Sequence, residues 1–217
     1  MTTTAIIPAR GGSKGIPRKN LQDVGGMSLI KRAVRLCRLA CDRVIVSTDD
    51  YDISVEAAKA GASVVRRPDR LATDTASTHE VLRFVRDTCN LAGRILLHQC
   101  TAPATIVQDL VRCLDGMAGY DLACCVYRYD GLVIQDGRCI NASLTTTVPR
   151  RQDLEQYEIA GSAWAFDASY LDKPFYSGNV NWIVCDGKRL DIDTPYDLWV
   201  ARQLIKEPVV MPDMAWQ

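Results

Sequence analysis

Two stretches of this chain carry side chains whose types and spacing suit phosphate chemistry. The first runs Pro8-Ala-Arg-Gly-Gly-Ser-Lys-Gly-Ile-Pro-Arg-Lys-Asn20 and holds three glycines, two arginines, two lysines and a serine. Glycines let backbone N–H groups turn toward a ligand at short range. Arg10, Lys14, Arg18 and Lys19 supply charge for phosphates, and an arginine grips two oxygens at once. The spacing is neither that of a Walker loop nor that of the dinucleotide fingerprint, and the bland alternative is a solvated basic turn. The second stretch is Arg189-Leu-Asp-Ile-Asp-Thr-Pro195. On a strand, Asp191 and Asp193 share one face, with Leu190 and Ile192 opposite. Two such carboxylates repel unless a cation bridges them, and hard oxygens held together with substrate phosphates are how Mg²⁺ is usually bound. The alternative use of Asp193 is as the cap of a helix that Pro195 opens.

The elements that must position these groups read as alternating strands and helices. Ala5-Ile-Ile7 is a short buried strand leading straight into the basic loop. Ser28 caps a helix whose apolar face is Leu29, Ile30, Ala33, Val34, Leu36, Cys37 and Ala40. Lys31, Arg32, Arg35 and Arg38 fall on a solvated face. Strands follow at 43–47, 62–65, 94–98 and 121–127, of which 43–47 and 94–98 read as buried. Helices are expected at 53–60, 80–88 and 106–117, capped by Asp49 or Asp50, by Ser77 or Thr78, and by Thr105. His98 reads as a packed strand histidine. Asp136-Gly137 between two short apolar runs marks a hairpin over 131–140. This alternation predicts a three-layer α/β/α domain with a mostly parallel sheet. Ligands of such sheets sit beyond the carboxyl ends of the strands, where both chemical stretches would lie.

The first stretch, with Ile6-Ile7 before it, resembles the signature of the acylneuraminate cytidylyltransferases, the CMP-sialic acid synthetases. Three further matches follow: Arg67-Pro-Asp-Arg-Leu-Ala-Thr-Asp74 with Ser77, Gln99 with Thr101 and Pro103, and Asp191-Ile-Asp-Thr194. The resemblance implies a Rossmann-like nucleotidyltransferase fold over residues 1–217. It adds a small β excursion for dimerisation at about 127–175, which is trimmed here. It implies transfer of CMP from CTP to an acidic sugar, sialic acid or a related nonulosonic acid, with release of pyrophosphate and with Mg²⁺ as cofactor. Arg10, Lys19 and Asp193 would be catalytic. Nucleotide binding would fall to Ala9, Arg10, Gly12, Ser13, Lys14, Lys19 and Asn20, with Arg67 for the nucleobase and Thr78 as a lesser contact. Gln99, Arg150, Arg151 and Tyr157 would meet the acceptor, and Asp191 and Asp193 the metal. Cys100, Ala102, Ala104, Ala160 and Trp164 depart from the family pattern. They leave room for another ulosonic acid or a small phosphonate as acceptor. A nucleotide-binding module without turnover would require the cations or carboxylates to be missing.

Composition narrows the classes further. The chain has 217 residues, 26 basic and 26 acidic, so its net charge is zero. That argues against a nucleic-acid coat or an electrostatic membrane binder. Nine cysteines and two histidines contain no Cys-x-x-Cys pair, which gives poor support for zinc. They read as reduced, mostly buried residues of a cytoplasmic protein. The start lacks a charged leader and no run reaches a membrane span. The tail after Ile205 is expected to be loose.

Overall fold

In the computed structural model, residues 2–129, 131–136, 138–140 and 156–209 are described. Ala5, Ile6 and Ile7 are wholly buried because β1 (Thr3–Pro8) lies inside a seven-stranded sheet. The sheet order is β3-β2-β1-β4-β8-β5-β9. Its other strands are β2 (Arg43–Thr48), β3 (Ser63–Arg66), β4 (Arg94–His98), β5 (Leu122–Arg128), β8 (Tyr157–Asp167) and β9 (Val180–Val184). β8 runs antiparallel to both neighbours, and every other pairing is parallel. A two-stranded hairpin, β6 (Ile134–Gln135) with β7 (Arg138–Cys139), stands apart. Asp136 turns it with φ 49°.

The period of two along each strand divides the core into two layers. Ala5, Ile7, Val44, Val46 and Leu96 face one side, and Ile6, Ile45, Ile95 and Leu97 the other. On the first side pack α1 (Leu29–Arg38), α2 (Tyr51–Lys59), α4 (Val107–Asp115) and α5 (Pro195–Leu204). On the second lie α3 (Thr78–Cys89) and a 3-10 turn at Ala168–Asp172. The three-layer α/β/α fold expected from the alternation is therefore present. Helix starts follow local chemistry. Ser28 Oγ accepts from Lys31 N, Asp50 Oδ1 from Ile53 N, and Ser77 forms a capping box with Glu80.

Five expectations change. Residues 157–167 are no excursion: β8 is an interior strand between β4 and β5, so any insert ends before it. Arg32 is not solvated. It is 6% exposed, and its Nη2 donates to the Val24 carbonyl at 2.9 Å and the Glu207 carbonyl at 2.7 Å. Arg35 and Arg38 also donate to carbonyls, of Val209 and Ala60. Arg32 and Arg35 thus hold the segment after α5 at Glu207 and Val209, and the rest of the tail expected to be loose lies outside the described residues. Thr105 does not cap α4. Its hydroxyl donates back to the Ala102 carbonyl, and Ile106 holds the cap position. Asp191 to Asp193 form no strand, because the segment is held by scattered bonds, such as that from Ile192 N–H to the Thr101 carbonyl, instead of a ladder.

Asp109 shows how the sheet edge is held near the site. It is wholly buried and accepts from Arg112 Nη2 at 2.6 Å and from the N–H groups of Asp186 and Gly187 at 3.0 Å each. These bonds fix the turn that carries the chain from β9 toward Asp191. Asp109→Ala leaves two backbone donors and part of a charge without partners. It should cost about 2–4 kcal/mol of stability, read as a lowered midpoint in urea denaturation.

Candidate active site

Beyond the carboxyl ends of β1 and β4, the strands between which the connections diverge, a cleft of about 420 Å³ opens. Loop residues Arg10, Ser13, Lys14, Gly15, Lys19 and Asn20 form one wall, Gln99, Cys100 and Thr101 another, and Asp191, Asp193 and Thr78 the rest, with Pro8 at the loop's start. Both chemical stretches recognised in the sequence therefore meet at one place.

Local forces explain how the loop gets there. Ala9 is buried, and its N–H donates to the Ser47 carbonyl at 2.9 Å, which extends the β1 direction by one residue. Asp49 Oδ1 then accepts from Gly11 N at 3.0 Å. Gly12 is exposed and open to approach. At Gly15 a Cβ would lie 2.5 Å from the Asp193 carbonyl oxygen, so glycine is required for the loop to touch the aspartate segment. A short 3-10 turn at Lys19–Leu21 ends the loop. Lys19 Nζ donates to the Ile192 carbonyl at 2.7 Å and to Asp193 Oδ1 at 3.0 Å. Asn20 is buried, gives its amide N–H to the Arg10 carbonyl at 2.9 Å, and accepts from Cys100 Sγ at 3.1 Å.

The two aspartates differ. Asp193 is exposed, and its backbone N–H donates to Asp197 Oδ2 at 3.1 Å. Thr194, not Asp193, is the cap of α5, and it shares a capping box with Asp197 behind Pro195. Asp191 is half-buried, and its Oδ1 has no hydrogen-bond partner. Burial first, with the charge of Asp193 adding to it, holds its carboxyl above the usual range, against a hydrogen bond from Thr101. An orphaned carboxylate oxygen beside a second carboxylate fits a hard divalent cation whose other ligands come from phosphates and water. Among the described residues no cluster of three or more His, Cys, Asp or Glu side chains is arranged for a metal.

Other expected residues lie elsewhere. Arg67 is 5% exposed and does not line the cleft. Its guanidinium donates to the Ser47 carbonyl at 2.9 Å and the Leu71 carbonyl at 3.4 Å, which makes it a clamp behind the loop. Burial lowers its pKa. Arg18 turns away from the cleft and pairs with Asp52 of α2. Tyr157 is exposed at the start of β8 and does not line the cleft. Arg150 and Arg151 lie outside the described residues. His98 is buried beside the Ser162 carbonyl, and burial pushes its pKa down to about 4. Burial likewise pushes the Cys100 thiol up to about 12.

Sequence reading missed four contributors. Asp49 and Asp197 hold the two ends of the site. Thr194-x-x-Asp197 is a readable capping-box signal. Asp74, within the matched arginine-proline stretch, pairs with Arg10 at 2.7 Å and with Lys14 at 2.6 Å. Gly161 on β8 has φ 64°, and a Cβ there would lie 2.8 Å from Gln99 Oε1 and 3.3 Å from Asp191 Oδ2.

The solved structure of CMP:2-keto-3-deoxy-manno-octonic acid synthetase complexed with CTP superimposes with a TM-score of 0.72 at 18% identity. It covers 94% of this chain and 98% of that one. The fold is that of the nucleotidyltransferases. Pseudaminic acid cytidylyltransferase of Campylobacter jejuni is 30% identical over 95% of this chain and 97% of its own. CMP-N,N'-diacetyllegionaminic acid synthase of Legionella pneumophila is 28% identical over 95% and 97%. Residues 4–157 match the family profile described as Cytidylyltransferase. The chain belongs to the cytidylyltransferase family.

Gly161→Ala forces a side chain into the left-handed region and onto Gln99 and Asp191. We expect at least a tenfold loss of kcat/KM, equivalent to about 1.4 kcal/mol in the barrier. Steady-state pyrophosphate release, with circular dichroism to verify folding, measures it.

Proposed function

We propose that the cleft catalyses transfer of CMP from CTP to the anomeric hydroxyl of a nonulosonic acid, releasing pyrophosphate. The observation that carries this reading is the meeting of the glycine-rich basic loop with Asp191 and Asp193 across one cleft. The pseudaminic acid cytidylyltransferase and the CMP-N,N'-diacetyllegionaminic acid synthase, each matched over nearly its whole length, support a nonulosonic acceptor broader than sialic acid itself.

In this reading Arg10, Ser13 and Lys14, with loop N–H groups near Gly12, bind the triphosphate. Lys19 lies between the loop and Asp193, where its charge offsets that of the departing pyrophosphate. Asn20 has both side-chain groups engaged and shapes the wall against which the nucleoside packs. Thr78 closes the cleft opposite. Gln99 presents an amide at the end of β4, suited to reading the acceptor by donor and acceptor together. Gly161 keeps the floor beside it clear. The chain's work is placement and charge neutralisation for an in-line displacement at the α-phosphorus. Asp191 and Asp193 would hold Mg²⁺, whose chemistry there is neutralisation of phosphate charge.

A second copy completes the assembly in this reading. Tyr157 and Ile159 of β8 and Trp182 and Val184 of β9 are all exposed. Register pairs Val126 with both Ile159 and Val184, so these side chains share one sheet face. Tyr176 stacks on Trp182 at 6.3 Å. This apolar face suits self-association in a homodimer.

Pyrophosphate release with CTP and Mg²⁺, across a panel of nonulosonic acids, other ulosonic acids and small phosphonates, tests the acceptor. Release with a nonulosonic acid is expected, and release only with phosphonates rejects it. Asp193→Ala should lower kcat by at least a hundredfold at unchanged melting temperature, and full activity would remove Asp193 from the metal site. Light scattering should show a dimer that Trp182→Glu dissociates, whereas a wild-type monomer at tens of micromolar rules the dimer out.

A further inference from the structure

The two cations at the mouth of the glycine-rich loop already hold a carboxylate. Asp74 Oδ1 pairs with Arg10 Nη1 at 2.7 Å, and Asp74 Oδ2 with Lys14 Nζ at 2.6 Å. Each oxygen takes one cation, the arrangement that two oxygens of a phosphate would adopt. Among the described residues neither cation makes another ion pair. Hydrogen bonds from Lys14 first, then Arg10, hold the Asp74 carboxyl below its usual range.

We propose that Asp74 is a positioning residue that occupies a phosphate place in the nucleotide-free cleft and is exchanged for the triphosphate on binding. The inference rests on the reading of this loop as the phosphate site. Three observations favour exchange over a fixed structural pair. The Asp74 side chain is 44% exposed and that of Lys14 79%, so water reaches both partners and the pairs are readily opened. The segment that carries Asp74 has ties of its own. Thr73 Oγ1 accepts from Ala76 N at 3.2 Å, and the Ser77–Glu80 capping box anchors its end. The loop cations also need a counter-charge when no nucleotide is bound, because Arg10 lies near enough to Arg67 to add to the lowering of its pKa. Asp49 opposes that effect on Arg67, and Asp74 does the corresponding work at the mouth.

Exchange predicts a sign opposite to that of an ordinary binding residue. Asp74→Asn keeps the shape and removes the competing charge. It should tighten both CTP with Mg²⁺ and inorganic pyrophosphate without metal by roughly two- to tenfold, the scale of two exposed ion pairs. It should lower KM for CTP and the inhibition constant of pyrophosphate, without raising kcat. Asp74→Glu keeps the charge and should stay close to wild type. The gap between Asp74→Asn and wild type should narrow at high salt. Titration calorimetry with both ligands, alongside steady-state kinetics, reads these values, and thermal melts verify folding. Weaker or unchanged binding in Asp74→Asn overturns the proposal. Arg10→Ala in the same titrations separates the two ideas. If Arg10→Ala leaves CTP affinity intact, the phosphate reading falls and the exchange with it. If Arg10→Ala weakens CTP while Asp74→Asn does not tighten it, only the exchange falls.

Discussion

The site depends on one ammonium group. Lys19 follows the loop after β1, whereas Ile192 and Asp193 precede α5, 173 and 174 residues further along the chain. Its Nζ joins them with two hydrogen bonds, and its side chain is only 16% exposed. A partly buried cation with two oxygen partners holds the two chemical stretches together through charge-assisted hydrogen bonds. It also offsets the mutual repulsion of Asp191 and Asp193, since its charge is among those acting to lower the Asp191 pKa. The close approach of Gly15 to the Asp193 carbonyl depends on the same junction. It ties the two stretches directly, beside the indirect route through the end of β4, where the Ile192 N–H donates to the Thr101 carbonyl at 2.9 Å and Cys100 Sγ to Asn20 Oδ1 at 3.1 Å.

The sheet makes that junction possible. β1 lies between β2 and β4, so the connections after β1 and β4 leave in opposite directions and open a crevice at their carboxyl ends. Asp49, at the end of β2, reaches across to Gly11. Asp109, beneath the turn after β9, fixes where the chain begins its return toward Asp191. Both are carboxylates gripping backbone N–H groups, which position a main chain more sharply than apolar packing does.

What the sequence made legible is what depends on local pattern. The buried strands, the Ser28 and Asp50 caps, the hairpin at Asp136 and the two chemical stretches all follow from periodicity or short motifs. What it hid depends on distant partners. Nothing near Arg32 or Arg67 distinguishes a buried clamp from a surface charge, because each binds one carbonyl of a distant segment, that of Glu207 for Arg32 and that of Ser47 for Arg67. The Asp74 pairs likewise join two loops separated by two helices and two strands. Asp191 and Asp193 read as strand residues because alternation signals an extended chain. Their pairing instead goes to Thr101 and Lys19, which no period reveals. β8 was masked by the expectation of an excursion, since its antiparallel direction in a mostly parallel sheet carries no signature of its own.

β8 also closes the segment that precedes it. The chain leaves the sheet at Arg128 and returns at Tyr157, and these two residues are paired neighbours in the register. The segment between them is therefore a closed loop whose base is stitched by the sheet itself. Lengthening or shortening it costs only a slowly growing closure entropy and leaves the nucleotide walls where they are. Such a base is a hinge of construction: a change in the length of what it carries leaves Arg128 and Tyr157 in register and the sheet behind the cleft as it is.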